Sequence, residues 1–81
     1  MTFPKELEKI IGNELYCKLN NAIEQAYFKG IDVKEFDERY TMIINKINTM
    51  KNVSDEVVTQ LNTEYIKVRE HYERAKNYEN N

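Results

Sequence analysis

The chain has 81 residues, enough for one domain with one hydrophobic core and too few for two domains. Its formal net charge is −2 with acids and bases interleaved, which argues against strong electrostatic binding to nucleic acid or to an anionic membrane surface. A single cysteine, Cys17, excludes an internal disulfide framework and a cysteine-based zinc cluster. Few glycines and prolines and no alternating strand pattern predict an all-α fold.

The sequence predicts a cytoplasmic protein without a membrane span. The first residues lack the long apolar segment of a secretory signal peptide. No run approaches the roughly 20 apolar residues that a transmembrane helix needs. A single free cysteine also fits a reducing compartment.

The first segment predicts a short helix over about residues 4–11. Thr2 is placed to cap this helix, and Pro4 stands in its opening turn, where a missing N–H group costs nothing. Gly12 and Asn13 then predict a break, because glycine commonly ends a helix and asparagine commonly caps the next one. A single helix passing through this weak point is the alternative.

The second predicted helix covers about residues 14–29, with an apolar stripe broad enough to contact both later helices. Gly30 ends it, since glycine takes the left-handed conformation without steric cost, and Ile31 can fold back onto the last turn. We expect the whole segment of residues 4–29 to lie across the hairpin formed by the two later helices.

Two amphipathic helices, over about residues 33–51 and 55–77, form the predicted spine of the fold. Their apolar residues recur every three to four positions, and the connection is so short that the second helix must return antiparallel to the first. Asp32 and Glu35 predict a capping box at the start of the hairpin. Ser54 predicts the cap of the last helix.

Together these elements predict a single domain over residues 1–81, a small all-α bundle of three to four helices built on the antiparallel helical hairpin. The predicted core consists of the apolar residues on the facing stripes: Leu15, Leu19, Ile23, Ala26, Phe36, Tyr40, Ile43, Ile47, Val58, Leu61, Tyr65 and Val68. On the outer face of the last helix, two pairs are spaced to form ion pairs: Arg69 with Glu73, and Glu70 with Arg74.

The sequence contains no recognisable catalytic or cofactor-binding constellation. His71 is the only histidine, and helical spacing brings it neither a second metal ligand nor a catalytic partner. Cys17 lies near a helix start beside Lys18, but a free thiol without a special role is the favoured interpretation. Glycine-rich phosphate loops and EF-hand spacing do not occur. We therefore expect a non-enzymatic protein with no cofactor and no metal site.

The aromatic residues carry the functional prediction. Phe28 falls beside the main apolar stripe, next to a predicted turn, where exposure is expected. Exposed aromatic side chains on a helix face are typical of protein-binding patches. The predicted partner-binding residues are Tyr16, Tyr27, Phe28 and Tyr72. The alternative is that the tyrosines fill the edges of the core and direct their hydroxyls into water.

The leading functional hypothesis is a small protein-interaction module, an inhibitor or adaptor that binds a larger protein through a helix face. Small size, balanced charge and surplus aromatic residues are typical of accessory proteins of phages and other mobile elements. A homodimer is a further expectation, because heptad-like stripes on a short hairpin readily pair with a second copy.

A helix-turn-helix regulator that binds nucleic acid is the alternative from another functional class. The two helices around residues 30–32 have roughly the required lengths. Acidic residues at the start of the third helix oppose this hypothesis because they would repel phosphate. In a dimer, a basic face could form from Lys46, Lys51, Lys67 and Arg69.

Four stretches within residues 13–68 share one layout of amphipathic helices: residues 19–30, 36–40, 43–47 and the cap at 53–54. This layout is similar to that of the small helical-bundle immunity proteins that protect bacteriocin producers. The first predicted helix is short for that family. The resemblance implies a cytosolic protein that recognises a membrane receptor engaged by the bacteriocin, and it transfers no functional residue.

Overall fold

The structure, a computed structural model of the chain, describes residues 3–79, with side chains through residue 76. Within these residues there are four helices and no strand: α1 (Lys5–Ile11), α2 (Asn13–Glu24), α3 (Val33–Asn48) and α4 (Asp55–Glu79). The last turn of α2 widens into a π-helix over Gln25–Lys29. The predicted all-α fold is confirmed. Thr2, the predicted first cap, lies outside the described residues.

The break between α1 and α2 falls at Gly12, which has a φ of +92°. The Gly12 N–H donates to the Glu8 carbonyl at 2.8 Å, so α1 ends where the sequence predicts. Asn13 is the first residue of α2 and not its cap; its Nδ2 donates to Glu8 Oε2 at 2.6 Å. This hydrogen bond, with help from Lys5, lowers the pKa of Glu8 below its ordinary value. A continuous first helix is therefore excluded.

The turn after α2 is set by Gly30, which takes the predicted left-handed conformation with a φ of +65°. The N–H groups of Gly30 and Ile31 both donate to the Gln25 carbonyl. Ile31 packs against the core from beyond the turn. The π-helical turn before Gly30 is not apparent from the sequence.

The start of α3 has a one-sided cap. Asp32 accepts a hydrogen bond from the Lys34 N–H at 3.1 Å, as an N-cap side chain does. The Glu35 carboxylate does not accept a hydrogen bond from the Asp32 N–H. It pairs instead with Arg39 one turn along the helix. The predicted capping box is therefore wrong, because a cation at i+4 holds the glutamate.

The connection between α3 and α4 is longer than predicted, since α3 already ends at Asn48. Thr49 Oγ1 donates to the Lys46 carbonyl at 2.7 Å, and the Met50 N–H donates to the Ile47 carbonyl, which tightens the last turn. Ser54 Oγ accepts the Val57 N–H at 3.4 Å, which confirms the predicted cap of α4.

Three tyrosine hydroxyls show that α3 and α4 run antiparallel. The Tyr40 hydroxyl donates a hydrogen bond to the Leu61 carbonyl (2.7 Å), and the Tyr65 hydroxyl donates one to Asp37 Oδ1 (3.0 Å). The Tyr72 hydroxyl donates one to the Ile31 carbonyl (2.7 Å). Residue numbers fall along α3 and its preceding turn as they rise along α4. This is the arrangement predicted for the hairpin.

Most of the predicted core is buried. The buried members are Leu15, Leu19, Ile23, Ala26, Phe36, Tyr40, Ile43, Ile47, Leu61 and Val68. Val58 and Tyr65 are only half-buried, so these two assignments are wrong. Val57 takes the inward position four residues before Leu61, and Val58 is rotated one residue away from that stripe. The Tyr65 ring lies at the edge because its hydroxyl reaches Asp37.

The first segment contributes more to the core than the sequence predicts. Phe3, Leu7 and Ile11 are buried together with Tyr16 of α2. Asn52, in the connection before α4, donates from Nδ2 to the Ile10 carbonyl at 3.4 Å. Therefore α1 lies at the end of the bundle where the connection between α3 and α4 crosses.

Candidate functional site

Three of the four predicted contact residues lie at one corner of the bundle. Tyr27 and Phe28 lie on the π-helical turn, and Tyr72 lies on α4. His71 stands between them, with its ring centroid 4.6 Å from that of Tyr27 and 6.1 Å from that of Tyr72. These four residues, Tyr27, Phe28, His71 and Tyr72, form what we name the aromatic corner. Antiparallel packing brings this part of α4 beside the turn after α2.

Phe28 is the exposed residue of the aromatic corner. Its side chain is 82% exposed, which confirms the exposure expected from its place beside the apolar stripe. Among the aromatic rings of the described residues, that of its neighbour Tyr27 lies near it, with the centroids 6.4 Å apart. The backbone of Phe28 is held by the π-helical turn and by the Gly30 cap that follows it. A large apolar group is thus presented to solvent on ordered backbone.

Tyr27 and His71 pack against each other across two helices. Both side chains are half-buried, and the angle between their rings is 58°. The sequence did not predict this contact, because Tyr27 and His71 are far apart along the chain. Within the described residues no three histidine, cysteine or acidic side chains converge as metal ligands would.

Tyr72 anchors the aromatic corner to the core. Its ring centroid lies 6.1 Å from that of Phe36, and its hydroxyl donates to the Ile31 carbonyl at 2.7 Å. Burial raises the pKa of Tyr72, and the nearby carboxylates of Asp32, Asp37 and Glu35 raise it further. The hydroxyl is therefore kept as a neutral donor, which fixes α4 against the turn after α2.

Tyr16, the fourth predicted contact residue, does not join the aromatic corner. It lies near the start of α2, about 16 Å along the helix axis from Tyr27. The Tyr16 side chain is 7% exposed, and its hydroxyl donates to the Phe3 carbonyl at 2.7 Å. In this structure Tyr16 holds the first segment against α2 and presents little surface to a partner.

An acidic residue of α3 links the hairpin beside the aromatic corner. Asp37 accepts hydrogen bonds from the Tyr65 hydroxyl and from the Arg69 guanidinium. The predicted pair of Arg69 with Glu73 is replaced by this link between helices. Burial raises the pKa of Tyr65, and the hydrogen bond to Asp37 raises it further. The hydrogen bond that Arg69 donates to Asp37 raises the pKa of Arg69. The sequence did not predict these contacts of Asp37, because they depend on the register of α3 against α4.

The cations proposed for a nucleic-acid face are partly engaged with acids. Arg69 pairs with Asp37, and Lys67 Nζ lies 3.5 Å from Glu64 Oε1. The second predicted pair on the outer face of α4 does form, with Arg74 Nη2 at 3.9 Å from Glu70 Oε2. These acids reduce the positive field that the face could offer to phosphate.

Among the helices within residues 3–79, none is both long and apolar enough to cross a membrane.

Comparison with known proteins assigns no family: no family model matches the chain, and no match occurs among curated proteins or solved structures. The similarity of layout to bacteriocin immunity proteins therefore stays a hypothesis.

Proposed function

We propose that the chain is a cytoplasmic, non-enzymatic protein-interaction module, an inhibitor or adaptor that binds a larger protein through the aromatic corner. One observation carries the proposal: Phe28 is 82% exposed on backbone that the π-helical turn and Gly30 hold in place. Tyr27 and His71 extend the same surface and are half-buried, so a partner can cover them further.

The energetics of such a surface favour protein binding. Burying a phenylalanine side chain contributes about 1.5–3 kcal/mol, enough for a major contact in an interface. The backbone of Phe28 is already ordered in the free chain, so little conformational entropy is lost when a partner binds. Aromatic side chains also dominate the energetic centres of known interfaces.

The proposal predicts that Phe28→Ala weakens capture of the partner. The tagged chain is used to isolate binding proteins from a lysate of its native host, and the captured protein is quantified by mass spectrometry. We expect a loss of about tenfold or more, equivalent to about 1.4 kcal/mol, because the variant removes the exposed ring. Far-ultraviolet circular dichroism should stay unchanged, since Phe28 contributes little to the core.

The matched control for this experiment is Ile66→Ala. Ile66 is 55% exposed on α4 and lies outside the aromatic corner, so its removal tests exposed apolar surface in general. Capture should survive this change. Equal capture by wild type and Phe28→Ala would refute the assignment of the aromatic corner as the binding surface.

The bacteriocin-immunity alternative is a special case of protein binding, in which the larger partner is a membrane receptor. It is supported only by the layout of residues 13–68. Survival of a sensitive strain that expresses the chain under bacteriocin challenge would favour it. Loss of protection in the Phe28→Ala variant would assign that activity to the aromatic corner.

A further inference from the structure

A second surface lies between α2 and α3. The two helices leave an open groove of about 220 Å³, which we name the α2–α3 groove. Its floor is apolar and consists of Leu15, Ala22 and Ile43. Ala22 has no side-chain atom beyond Cβ, so it leaves space that a larger residue would fill. Met42 forms a wall of the groove and is 63% exposed.

The rim of the α2–α3 groove is cationic. Lys18, Arg39 and Lys46 line it, and no acidic residue does, although the chain as a whole carries a net charge of −2. Lys18 and Arg39 pair with Glu14 and Glu35, which stand one turn away on the same helices and outside the groove, and this pairing reduces the positive field that the two cations offer. Lys46 has no ion-pair partner within the described residues.

The dimensions of the groove fit side chains of a partner helix. Small-molecule sites usually enclose about 300–1,000 Å³, which is more than this groove offers. Along α3 the groove extends from Arg39 to Lys46, about 10 Å at the rise of an α-helix. Two turns of an amphipathic helix present two or three apolar side chains over that length.

We infer that the α2–α3 groove is a docking site for an acidic amphipathic helix of a partner protein. Apolar side chains of that helix, spaced three or four residues apart, would cover the floor and Met42. Glutamate or aspartate residues flanking its apolar stripe would face Lys18, Arg39 and Lys46. This surface is separate from the aromatic corner and does not depend on the function proposed for it.

A second copy of this chain is a poor occupant for the groove. Outside the groove and the aromatic corner, the large exposed apolar residue of the described chain is Ile66. One turn away from it stand Asn62, Thr63 and Glu70, so α4 presents no apolar stripe over two turns. The α4 face of a second copy therefore lacks the apolar stripe that the groove would accept.

The test uses two synthetic helical peptides of about 14 residues, or four turns, as defined probes. Both carry the same leucine stripe, flanked by glutamates in one peptide and by lysines in the other. Fluorescence anisotropy with the full chain should show at least about tenfold tighter binding of the glutamate peptide. This preference should shrink as salt is added, since the rim is exposed to solvent.

Two variants locate the binding within the groove. Met42→Glu places a charge at the exposed wall and should abolish binding of the glutamate peptide, whereas Ile66→Glu, on α4, should leave it unchanged. The double variant Lys18→Glu with Lys46→Glu should reverse the preference in favour of the lysine peptide. All these positions are exposed, so circular dichroism should confirm that each variant keeps its helices.

Several results would overturn the inference. Equal affinity for both peptides, or no binding with a Kd below about 1 mM, would remove the acidic helix as the occupant. Binding that survives Met42→Glu but is lost in Phe28→Ala would place the peptide on the aromatic corner. Self-association in sedimentation experiments that Met42→Glu abolishes would show that a second copy occupies the groove.

Discussion

Each tyrosine hydroxyl in the hairpin forms a hydrogen bond with a residue that is distant along the chain. Tyr40 and Tyr72 donate to backbone carbonyls, and Tyr65 donates to a carboxylate. Helical spacing predicts which side of a helix each ring faces, but the partner of a hydroxyl depends on the register between two helices. For this reason the sequence predicted the burial of Tyr40 and missed the bond that accompanies it.

Tyr40 gives a prediction for alkaline pH. Burial raises its pKa, and the charge of Glu64 adds to the effect, so the folded state favours the neutral hydroxyl. The ordinary pKa of about 10 applies in the unfolded state. The stability contributed by Tyr40 is therefore complete below about pH 10 and is lost as the pH rises above that value.

The variant Tyr40→Phe should flatten this dependence. Urea unfolding between pH 7 and about 11.5 should show a smaller loss of stability above about pH 10 than in the wild type, because the titrating group is gone. At neutral pH the variant should lose about 1 kcal/mol with the hydrogen bond to the Leu61 carbonyl. Identical pH dependence of the two proteins would contradict the role given to Tyr40.

Helix boundaries are predictable from the sequence where a local signal at the helix end sets them. Gly12 and Gly30 act through local backbone geometry, and Ser54 acts through a local hydrogen bond of its side chain. Each marks a boundary where the sequence predicts one. The predicted capping box does not form, because Glu35 pairs with Arg39 one turn along the helix. The first turn of α4 offers two adjacent valines, and only packing against the other helices selects Val57.

The break between α1 and α2 gives a prediction for Gly12→Ala. The φ of +92° with a ψ of 158° is a backbone conformation open almost only to glycine. An added Cβ would meet nothing within 4 Å, so the expected cost of about 1–3 kcal/mol comes from backbone strain alone. Urea unfolding measures this cost.

The matched control is Asn13→Ala, which removes the exposed hydrogen bond to Glu8 and leaves the glycine in place. It should destabilise the protein by less than Gly12→Ala does. An unchanged or higher stability of Gly12→Ala, as expected if α1 and α2 fused into one straight helix, would contradict the break.

For the whole molecule, the residues 3–79 form a rod of 46 × 21 × 21 Å whose length follows from α4. The helix α2 contributes to both surfaces: its π-helical turn carries the aromatic corner, and its middle lines the α2–α3 groove. The sequence identified Tyr27, Phe28 and Tyr72 one by one. It could not show that Tyr27 and Tyr72 both pack against His71, nor that α2 and α3 leave a groove, because both depend on how the helices pack.

The central claim, that a partner protein contacts Phe28, is tested most directly by photocrosslinking in living cells of the native host. Phe28→p-benzoylphenylalanine places the crosslinking group on the exposed ring, and the same replacement at Ile66 serves as the control. We predict one prominent crosslinked protein from position 28 and none from position 66. No crosslink at position 28, or the same products from both positions, would contradict the aromatic corner as the partner-binding surface.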